Sequence, residues 1–213
     1  SKLFKYAKSI GIKIFSTPFD ETAVDFLEKL NCPIYKIASF EMTDIPLIAK
    51  IASTKKPLII STGMATLDEI ELTFNTAKKY GSKDITLLYC VSNYPSKNSD
   101  FNLNNIKILK KKFKCRVGLS DHSLGSNVAS LAISKGAEII EKHISLKNVI
   151  SVDSKFSLNE NEISKFRKDI NLAHELIKNN NFVRSKDEVK NKIFRRSIFA
   201  IRNIKKGEKF LVS

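Results

Sequence analysis

The 213-residue chain has a formal net charge of +15, three widely spaced cysteines and 42% hydrophobic residues. This composition allows one sizeable core and excludes a membrane span, which needs roughly 18 consecutive apolar residues, and the cysteine spacing excludes a disulfide or zinc framework. We therefore predict a cytoplasmic protein with reduced thiols. The lysines are spread along the outer faces of helical patterns, which predicts a solvated surface and no nucleic-acid or membrane partner. Their positive field would help to recruit a phosphorylated substrate.

Short apolar runs alternate with longer helical patterns along the chain, beginning with an amphipathic helix at residues 1–11. Each run is short enough for a strand and apolar enough to be buried on both faces, as parallel strands are. The predicted strands are Lys13 to Phe15, Ile34 to Ile37, Leu58 to Ile60, Ile85 to Tyr89, Arg116 to Leu119 and Ile139 to Glu141.

Helix start signals lie between these runs. Asp20 is a candidate N-cap, Thr66 and Glu69 form a capping box, and Ser157 and Glu160 form another. The buried side of the helix after Asp20 would carry Ala23, Phe26, Leu27 and Leu30. Another helix is predicted at 103–113, and its apolar face would carry Leu103, Ile106, Leu109 and Phe113.

The alternation predicts an α/β fold with parallel strands, either an open doubly wound sheet or a closed barrel. Polar residues follow nearly every predicted strand, which favours the barrel, because a doubly wound sheet concentrates its ligand contacts at one switch point. We therefore predict a (β/α)8 TIM-type barrel, of which residues 1–180 carry about six βα units. Residues 181–213 are predicted to be a polar linker and the start of a small β-rich module with a Lys-Lys-Gly turn.

Histidines directly follow two of the predicted strands, in GLSDH (His122) and IIEKH (His143). Imidazoles at the ends of neighbouring barrel strands could bind a divalent transition metal, with Asp121 as an orienting group, or could simply hydrogen-bond a loop or the substrate. The third histidine, His174, lies in a long helical pattern and is predicted to be an ordinary helix residue.

Lys36 interrupts the apolar run IYKIAS, and a buried ammonium is costly unless an anion meets it. That anion could be a phosphate or carboxylate ligand, or an internal carboxylate such as Glu41. Hydroxyl groups at the ends of the strands could bind the same phosphate, or could be turn residues. These hydroxyls belong to Ser39, Ser61, Ser92 and Ser120.

The segments STPFD, YKIASFE, IISTGMAT, CVSNYP, GLSDHS and EKH occur here in the order and spacing of the sialic acid synthase family, which the chain resembles over nearly its whole length. That family includes the N-acetylneuraminate, legionaminic acid and pseudaminic acid synthases. Residues 152–158, VDSKFSL, are similar to the DSxFSL stretch of pseudaminic acid synthases, where the other branches tend to carry Gly-Pro-Asp. The resemblance therefore favours the pseudaminic branch, with the other two synthases as alternatives.

The resemblance implies a transferase of nonulosonic acid biosynthesis that condenses phosphoenolpyruvate with 2,4-diacetamido-2,4,6-trideoxy-altrose to give pseudaminic acid and phosphate. His122 and His143 match the family's ligands for a divalent metal, usually manganese, with magnesium or cobalt as alternatives, and Glu41 joins them in the catalytic set. The residues that match phosphoenolpyruvate-binding positions are Lys36, Ser39, Ser61, Ser92, Ser120 and Thr17. Tyr94 and Asp153 match positions near the sugar.

The sequence also departs from the family pattern. It lacks the family's early strands with their Glu, Asn-His-x-Gly and Lys-x-Gln motifs, and it stops soon after Arg195 and Arg196, at the apparent entry to the family's antifreeze-like (SAF) domain. The resemblance implies a homodimer at full length, and we expect this chain alone to be weakly active or inactive. Two other interpretations stay open, namely a metal-dependent aldolase or isomerase barrel without a phosphoenolpyruvate site, and a non-catalytic piece that only binds a ligand or partner.

Overall fold

The computed structural model describes residues 1–209, in which strands and helices alternate as the sequence predicts. The strands are β1 (Tyr35–Ile37), β2 (Leu58–Ser61), β3 (Ile85–Cys90), β4 (Arg116–Asp121) and β5 (Ile140–Lys142). The α-helices are α1 (Lys2–Ser9), α2 (Glu21–Lys29), α3 (Ile45–Ser53), α4 (Leu67–Lys79), α5 (Asn104–Phe113), α6 (Asn127–Ser134), α7 (Glu160–Ile177) and α8 (Lys186–Lys190). Short 3-10 helices occupy Ser39–Glu41, Asn98–Asp100, Val152–Lys155 and Asn191–Phe194.

The strands form one parallel sheet in the order β1-β2-β3-β4-β5, which curls into half of a barrel. Each strand pairs with the next one along the chain, and the register places Lys36 opposite Ile59 and Asp121 opposite Lys142. Because the strands are parallel and neighbours in sequence, their C-terminal ends meet at one rim. The predicted TIM-type fold is therefore confirmed.

The first predicted strand is not formed as a strand. Residues 13–15 have no strand pairing, and a single parallel bridge joins Ser16 to Tyr35, with the amide of Lys36 donating to the carbonyl of Ser16 at 3.2 Å. Within residues 1–209 this segment has a neighbouring strand on one side only, so the backbone hydrogen bonds that would hold it as a regular strand are incomplete. The structure therefore has five strands and one bridge in the described residues, where the sequence predicted six strands.

The core lies between the sheet and the helices. Every residue of β3 is buried, as expected for a strand covered on both faces. On α5, Ile106, Leu109 and Phe113 are buried, which confirms the predicted apolar face, and the ring of Phe113 lies 5.1 Å from that of Phe74 on α4. The lysines of α5 lie on its solvent side, as expected for an amphipathic helix that faces water.

Two of the predicted helix starts are confirmed. An oxygen of Asp20 accepts a hydrogen bond from the amide of Ala23 at 2.7 Å, and the Thr66–Glu69 capping box opens α4. The predicted burial of Phe26 is wrong, because its side chain is 58% exposed. Val24 and Leu27 are the buried residues of α2, so its inner face is rotated by about one residue from the predicted one.

The predicted capping box of α7 is also wrong. The hydroxyl of Ser157 bonds to the carbonyl of Asp153, whereas Asn159 and Glu162 exchange the hydrogen bonds that start the helix. Asn caps a helix as well as Ser does. Because Asn159 lies two residues after Ser157, the helix begins later than predicted. His174 lies within α7, as expected.

The chain divides into two compact units, Ser1–Ile177 and the residues from Lys178 onwards. The described part of the second unit, 178–209, holds α8, a 3-10 helix and a turn at Lys206 and Gly207, and it has no strand. The turn was predicted, while the β-rich module stays a prediction whose last residues, 210–213, lie outside the described residues. Across residues 1–209, no helix is both long and apolar enough to cross a membrane.

Candidate active site at the strand ends

A cavity of about 420 Å³ lies at the rim formed by the C-terminal ends of the strands. The predicted site residues that line it are Thr17, Lys36, Ser39, Ser61, Tyr94, Ser120, His122, His143 and Asp153. Cys90 and Glu141 also line it and were not predicted. Residues from all five strands and their following loops thus converge on one cavity, as in barrel enzymes.

Lys36 is the most deeply buried cation of this cavity, with a side chain that is 9% exposed. Its Nζ donates to the hydroxyl of Ser61 at 2.7 Å and lies 3.6 Å from Oε2 of Glu141. Burial lowers the pKa of the Lys36 ammonium, and the negative charge of Glu141 opposes that shift. The internal carboxylate beside Lys36 is therefore Glu141, and Glu41 is not its ion-pair partner.

The serine hydroxyls form a polar wall beside Lys36. The hydroxyl of Ser120 donates to Glu141 at 2.6 Å, and the amide of Gly63 donates to the hydroxyl of Ser39 at 3.1 Å. Ser92 does not line the cavity, but its Oγ lies against the Cα of Gly63, where an added Cβ would collide with it. The Ser-Thr-Gly turn after β2 therefore needs glycine, because two hydroxyls approach it closely.

His122 and His143 face each other in the cavity, with ring centroids 5.2 Å apart. Nδ1 of His122 lies 3.0 Å from the carbonyl oxygen of Val91 and 4.0 Å from the sulfur of Cys90. Burial alone would lower the pKa of His122, but the contacts with Cys90 and Val91 outweigh it and raise the pKa. Burial, together with the neighbouring His122, lowers the pKa of His143, whose Nδ1 lies 3.4 Å from Asp153.

The two imidazoles fit part of a metal site. If the Nδ1 of His122 donates to the Val91 carbonyl, its Nε2 is the nitrogen free to bind a metal, which is the usual arrangement of a metal-ligating histidine. Within residues 1–209, no three His, Cys, Asp or Glu side chains are close enough to hold an ion by themselves. The described residues thus offer two imidazole nitrogens that could be part of a metal site, since catalytic metal sites leave further positions to water or substrate.

An aromatic cluster encloses the histidines. Phe156, which is 3% exposed, lies 4.9 Å from the ring of His143, and Tyr94 lies 4.3 Å from the ring of His122. Phe156 belongs to the DSKFSL segment, so that segment packs directly against the site. Burial raises the pKa of Tyr94, with a further contribution from Cys90.

Two predicted residues have positions different from those expected. Glu41 lies in the 3-10 helix after β1 and does not line the cavity, and in the described structure its buried Oε2 has no hydrogen-bond partner. Asp121 was predicted to orient His122, but its carboxylate bonds to Ser123 and Lys142 and not to the imidazole. The backbone carbonyl of Val91 takes the place near Nδ1 of His122 that was predicted for Asp121.

The residues that sequence reasoning missed carry a recognisable signal. Glu141 lies two positions before His143, and side chains two apart along a strand share a face. Cys90 is the last residue of β3 and therefore lies at the same rim. Phe156 has no comparable signal, because its contact with the histidines comes from a loop that folds back onto the rim.

Comparison with known proteins identifies relatives of this arrangement. The family model described as "NeuB family" matches residues 1–181. The chain is 42% identical over 210 residues to a pseudaminic acid synthase of Helicobacter pylori, covering 98% of this chain and 62% of that protein. It is 41% identical over 213 residues to an N,N'-diacetyllegionaminic acid synthase of Campylobacter jejuni, covering 98% and 64%.

A solved structure supports the same relationship. The N-acetylneuraminic acid synthetase of Leptospira borgpetersenii, crystallised with citrate, superposes with a TM-score of 0.84 at 32% identity, covering 91% of this chain and 68% of that one. The chain spans about 62% of the length of the curated pseudaminic acid synthase that it matches. Both its sequence and its fold show that this chain belongs to the NeuB family.

Proposed function

We propose that this chain forms the catalytic centre of a synthase that condenses phosphoenolpyruvate with an open-chain acetamido sugar, giving pseudaminic acid and phosphate. The observation that carries the proposal is the buried ammonium of Lys36, which shares one cavity with His122 and His143. A cavity that combines a buried cation, several hydroxyls and two imidazoles suits a small dianion next to a group that is polarised by a metal.

The phosphoenolpyruvate side of the proposal rests on charge and hydrogen bonding. Lys36, Ser61 and Ser120 would bind its phosphate and carboxylate, because these anions satisfy the ammonium better than one partly exposed carboxylate does. Ser39 and Thr17, which line the same cavity, would add hydroxyl donors around them. Glu141 then has to share Lys36 and Ser120 with the substrate, so the bound anion would rearrange this pair.

The sugar side of the proposal uses the opposite wall. His122 and His143 would hold a divalent ion, manganese in the first instance, which when bound supplies Lewis-acid polarisation of the aldehyde. Tyr94 and Asp153, which line the cavity, would orient the sugar.

The proposed reaction balances with one water. The methylene carbon of phosphoenolpyruvate forms a bond to the aldehyde carbon, whose C=O π bond breaks so that its oxygen takes up a proton and becomes a hydroxyl group. Water adds to the carbon that carries the phosphate and gives up a proton in turn. The bond between that carbon and the phosphate oxygen then breaks, which releases phosphate and leaves a ketone. Lys36, the cavity serines and the two histidines would hold the substrates in contact and stabilise charge, which is a large share of many enzymes' catalysis.

The choice of sugar rests on the DSKFSL segment, because the identities to the pseudaminic and legionaminic acid synthases are nearly equal, at 42% and 41%. Phosphate release should be measured with manganese and two sugars in parallel, 2,4-diacetamido-2,4,6-trideoxy-altrose and N-acetylmannosamine, on this chain and on a version extended to the length of its relatives. Release with the first sugar alone supports the proposal. If a folded, extended version releases phosphate with neither sugar, the synthase proposal fails and a metal-dependent aldolase or isomerase becomes the better hypothesis.

Lys36→Met tests the site itself. We expect the substitution to lower kcat/KM for phosphoenolpyruvate about 100-fold, because the substrate anion bound next to residue 36 would lose its charged partner. Lys56→Met is the matched control, since Lys56 pairs with Glu28 and does not line the cavity. Equal effects of the two substitutions would contradict the assignment of Lys36.

The proposed enzyme acts in the cytoplasm as a homodimer. Cys32, Cys90 and Cys115 are all free thiols, as a reducing compartment keeps them. The homodimer comes from the family resemblance, and sedimentation of the extended version would test it.

A further inference from the structure

The residues that precede the two histidines form a buried ion pair. Nζ of Lys142 lies 2.9 Å from Oδ2 of Asp121, and their side chains are 6% and 0% exposed. The two residues are direct partners in the β4–β5 register. Because side chains alternate along a strand, Asp121 and Lys142 share one face of the sheet, while His122 and His143 reach the cavity from the other.

The polar atoms of this pair are well satisfied. One oxygen of Asp121 accepts from both the amide (2.9 Å) and the hydroxyl (2.7 Å) of Ser123, which is itself fully buried. Lys142 also donates to the carbonyl of Ser123, and its Nζ lies 5.8 Å from the ring centre of Phe166 on α7. The network therefore fixes the residues on both sides of His122 and ties them to the residue before His143.

We propose that Asp121 and Lys142 are a positioning pair that sets the separation of the two imidazoles, and so the affinity of the site for a divalent metal. This inference rests on the proposed function, in which His122 and His143 bind that metal. Metal ligands must be held to within roughly 0.5 Å, and the strand ends would otherwise be free to part, because β5 pairs with β4 over only three residues. A buried ion pair adds little stability on average, so its value here is geometric.

Manganese binding by the 213-residue chain tests the proposal, with Mn²⁺ alone as the probe in titration calorimetry. Asp121→Asn and Lys142→Met should each weaken binding about 10- to 100-fold, as loss of an outer-shell partner does. The double variant Asp121→Asn/Lys142→Met leaves no buried charge unpaired and keeps an oxygen that accepts from Ser123, so it should melt close to the unsubstituted chain while binding Mn²⁺ as weakly as the single variants. Lys110→Met removes the exposed pair with Glu138 and should change nothing.

Imidazole NMR spectra of the metal-free chain give a second result that a purely structural role would not change. The ring resonances of His122 and His143 should move in the double variant, whereas those of His174 on α7 should not. A folded double variant with unchanged Mn²⁺ affinity and unchanged ring resonances overturns the positioning role. If His122→Ala binds Mn²⁺ as the unsubstituted chain does, the metal part of the proposed function fails instead, and the ring resonances alone decide the role of the pair.

Discussion

At the scale of single residues, Lys36 links stability to pH. Burial holds its pKa below the ordinary 10.5, so between the folded-state pKa and 10.5 the unfolded chain binds more protons than the folded one. Stability therefore rises with pH across that window, and Lys36→Met removes this rise. We expect the free energy of unfolding of the Met variant, relative to the unsubstituted chain, to fall steadily as pH increases towards 10.5.

Urea unfolding at several pH values between 7 and 10 measures this difference. Lys56→Met is the control for the loss of a lysine outside the cavity, because Lys56 is only partly buried in its pair with Glu28. Parallel stability profiles for Lys36→Met and the unsubstituted chain would show that burial does not shift the proton affinity of Lys36.

Also at the scale of single residues, Gly63 allows the hydroxyls of Ser39 and Ser92 to approach the turn after β2 closely. An added Cβ would lie 2.7 Å from the hydroxyl oxygen of Ser39 and closer still to that of Ser92. Gly63→Ala should therefore lower the melting temperature by several degrees, in proportion to a strain of about 1–3 kcal/mol. Ser92→Ala removes the nearer of the two colliding atoms, so the double variant should melt above Gly63→Ala. Strictly additive changes would mean that the two residues do not touch.

At the scale of elements, the structure distinguishes between two candidate N-caps of α7, Ser157 and Asn159. Asn159 accepts from the amide of Asn161 at 3.0 Å and its own amide donates to Glu162 at 3.0 Å, whereas Ser157 bonds only to the preceding turn. Asn159→Ala should lower the free energy of unfolding by about 1 kcal/mol, and Ser157→Ala by clearly less. Chemical denaturation of the two variants side by side measures the difference. A larger loss at Ser157 would restore the capping box that the sequence predicts.

The sequence predicts the strand elements well because their buried runs are bounded by polar residues. Lys36, Ser61, Ser120, His122 and His143 all reach the same cavity from such strand ends, as predicted. Parallel strands need only their order and direction to bring these residues together, and both follow from the alternation of strand and helix.

The errors come from contacts that no local pattern contains. The segment 13–15 is apolar enough for a strand but has a pairing partner on one side only in the described residues. Phe26 has the spacing of a buried helix residue, yet Val24 is the residue that packs inward, because the tilt of a helix against a sheet is set by tertiary packing. Glu141 was missed as the partner of Lys36 because the two residues are far apart in sequence and meet only across the barrel rim.

At the scale of the whole molecule, the net charge of +15 acts on the proposed substrates differently. Phosphoenolpyruvate is an anion, while the acetamido sugar is neutral. A basic protein raises the local concentration of anions, and salt screens that field over a Debye length of about 8 Å at 0.15 M. On the proposed function, the lysines of α5 and its neighbours would help to recruit phosphoenolpyruvate without contacting it.

This argument gives a salt-dependence prediction for the extended, active version. The KCl concentration should be raised from about 0.05 to about 0.5 M, that is, from below to above the physiological ionic strength of about 0.15 M. We expect this change to raise KM for phosphoenolpyruvate several-fold and to leave KM for the sugar nearly constant. The sugar is the internal control, because general effects of salt on folding or on the metal would alter both constants. Steady-state phosphate release with each substrate varied in turn measures them. A parallel rise of both constants, or no rise in either, would show that the surface charge serves solubility and not substrate recruitment.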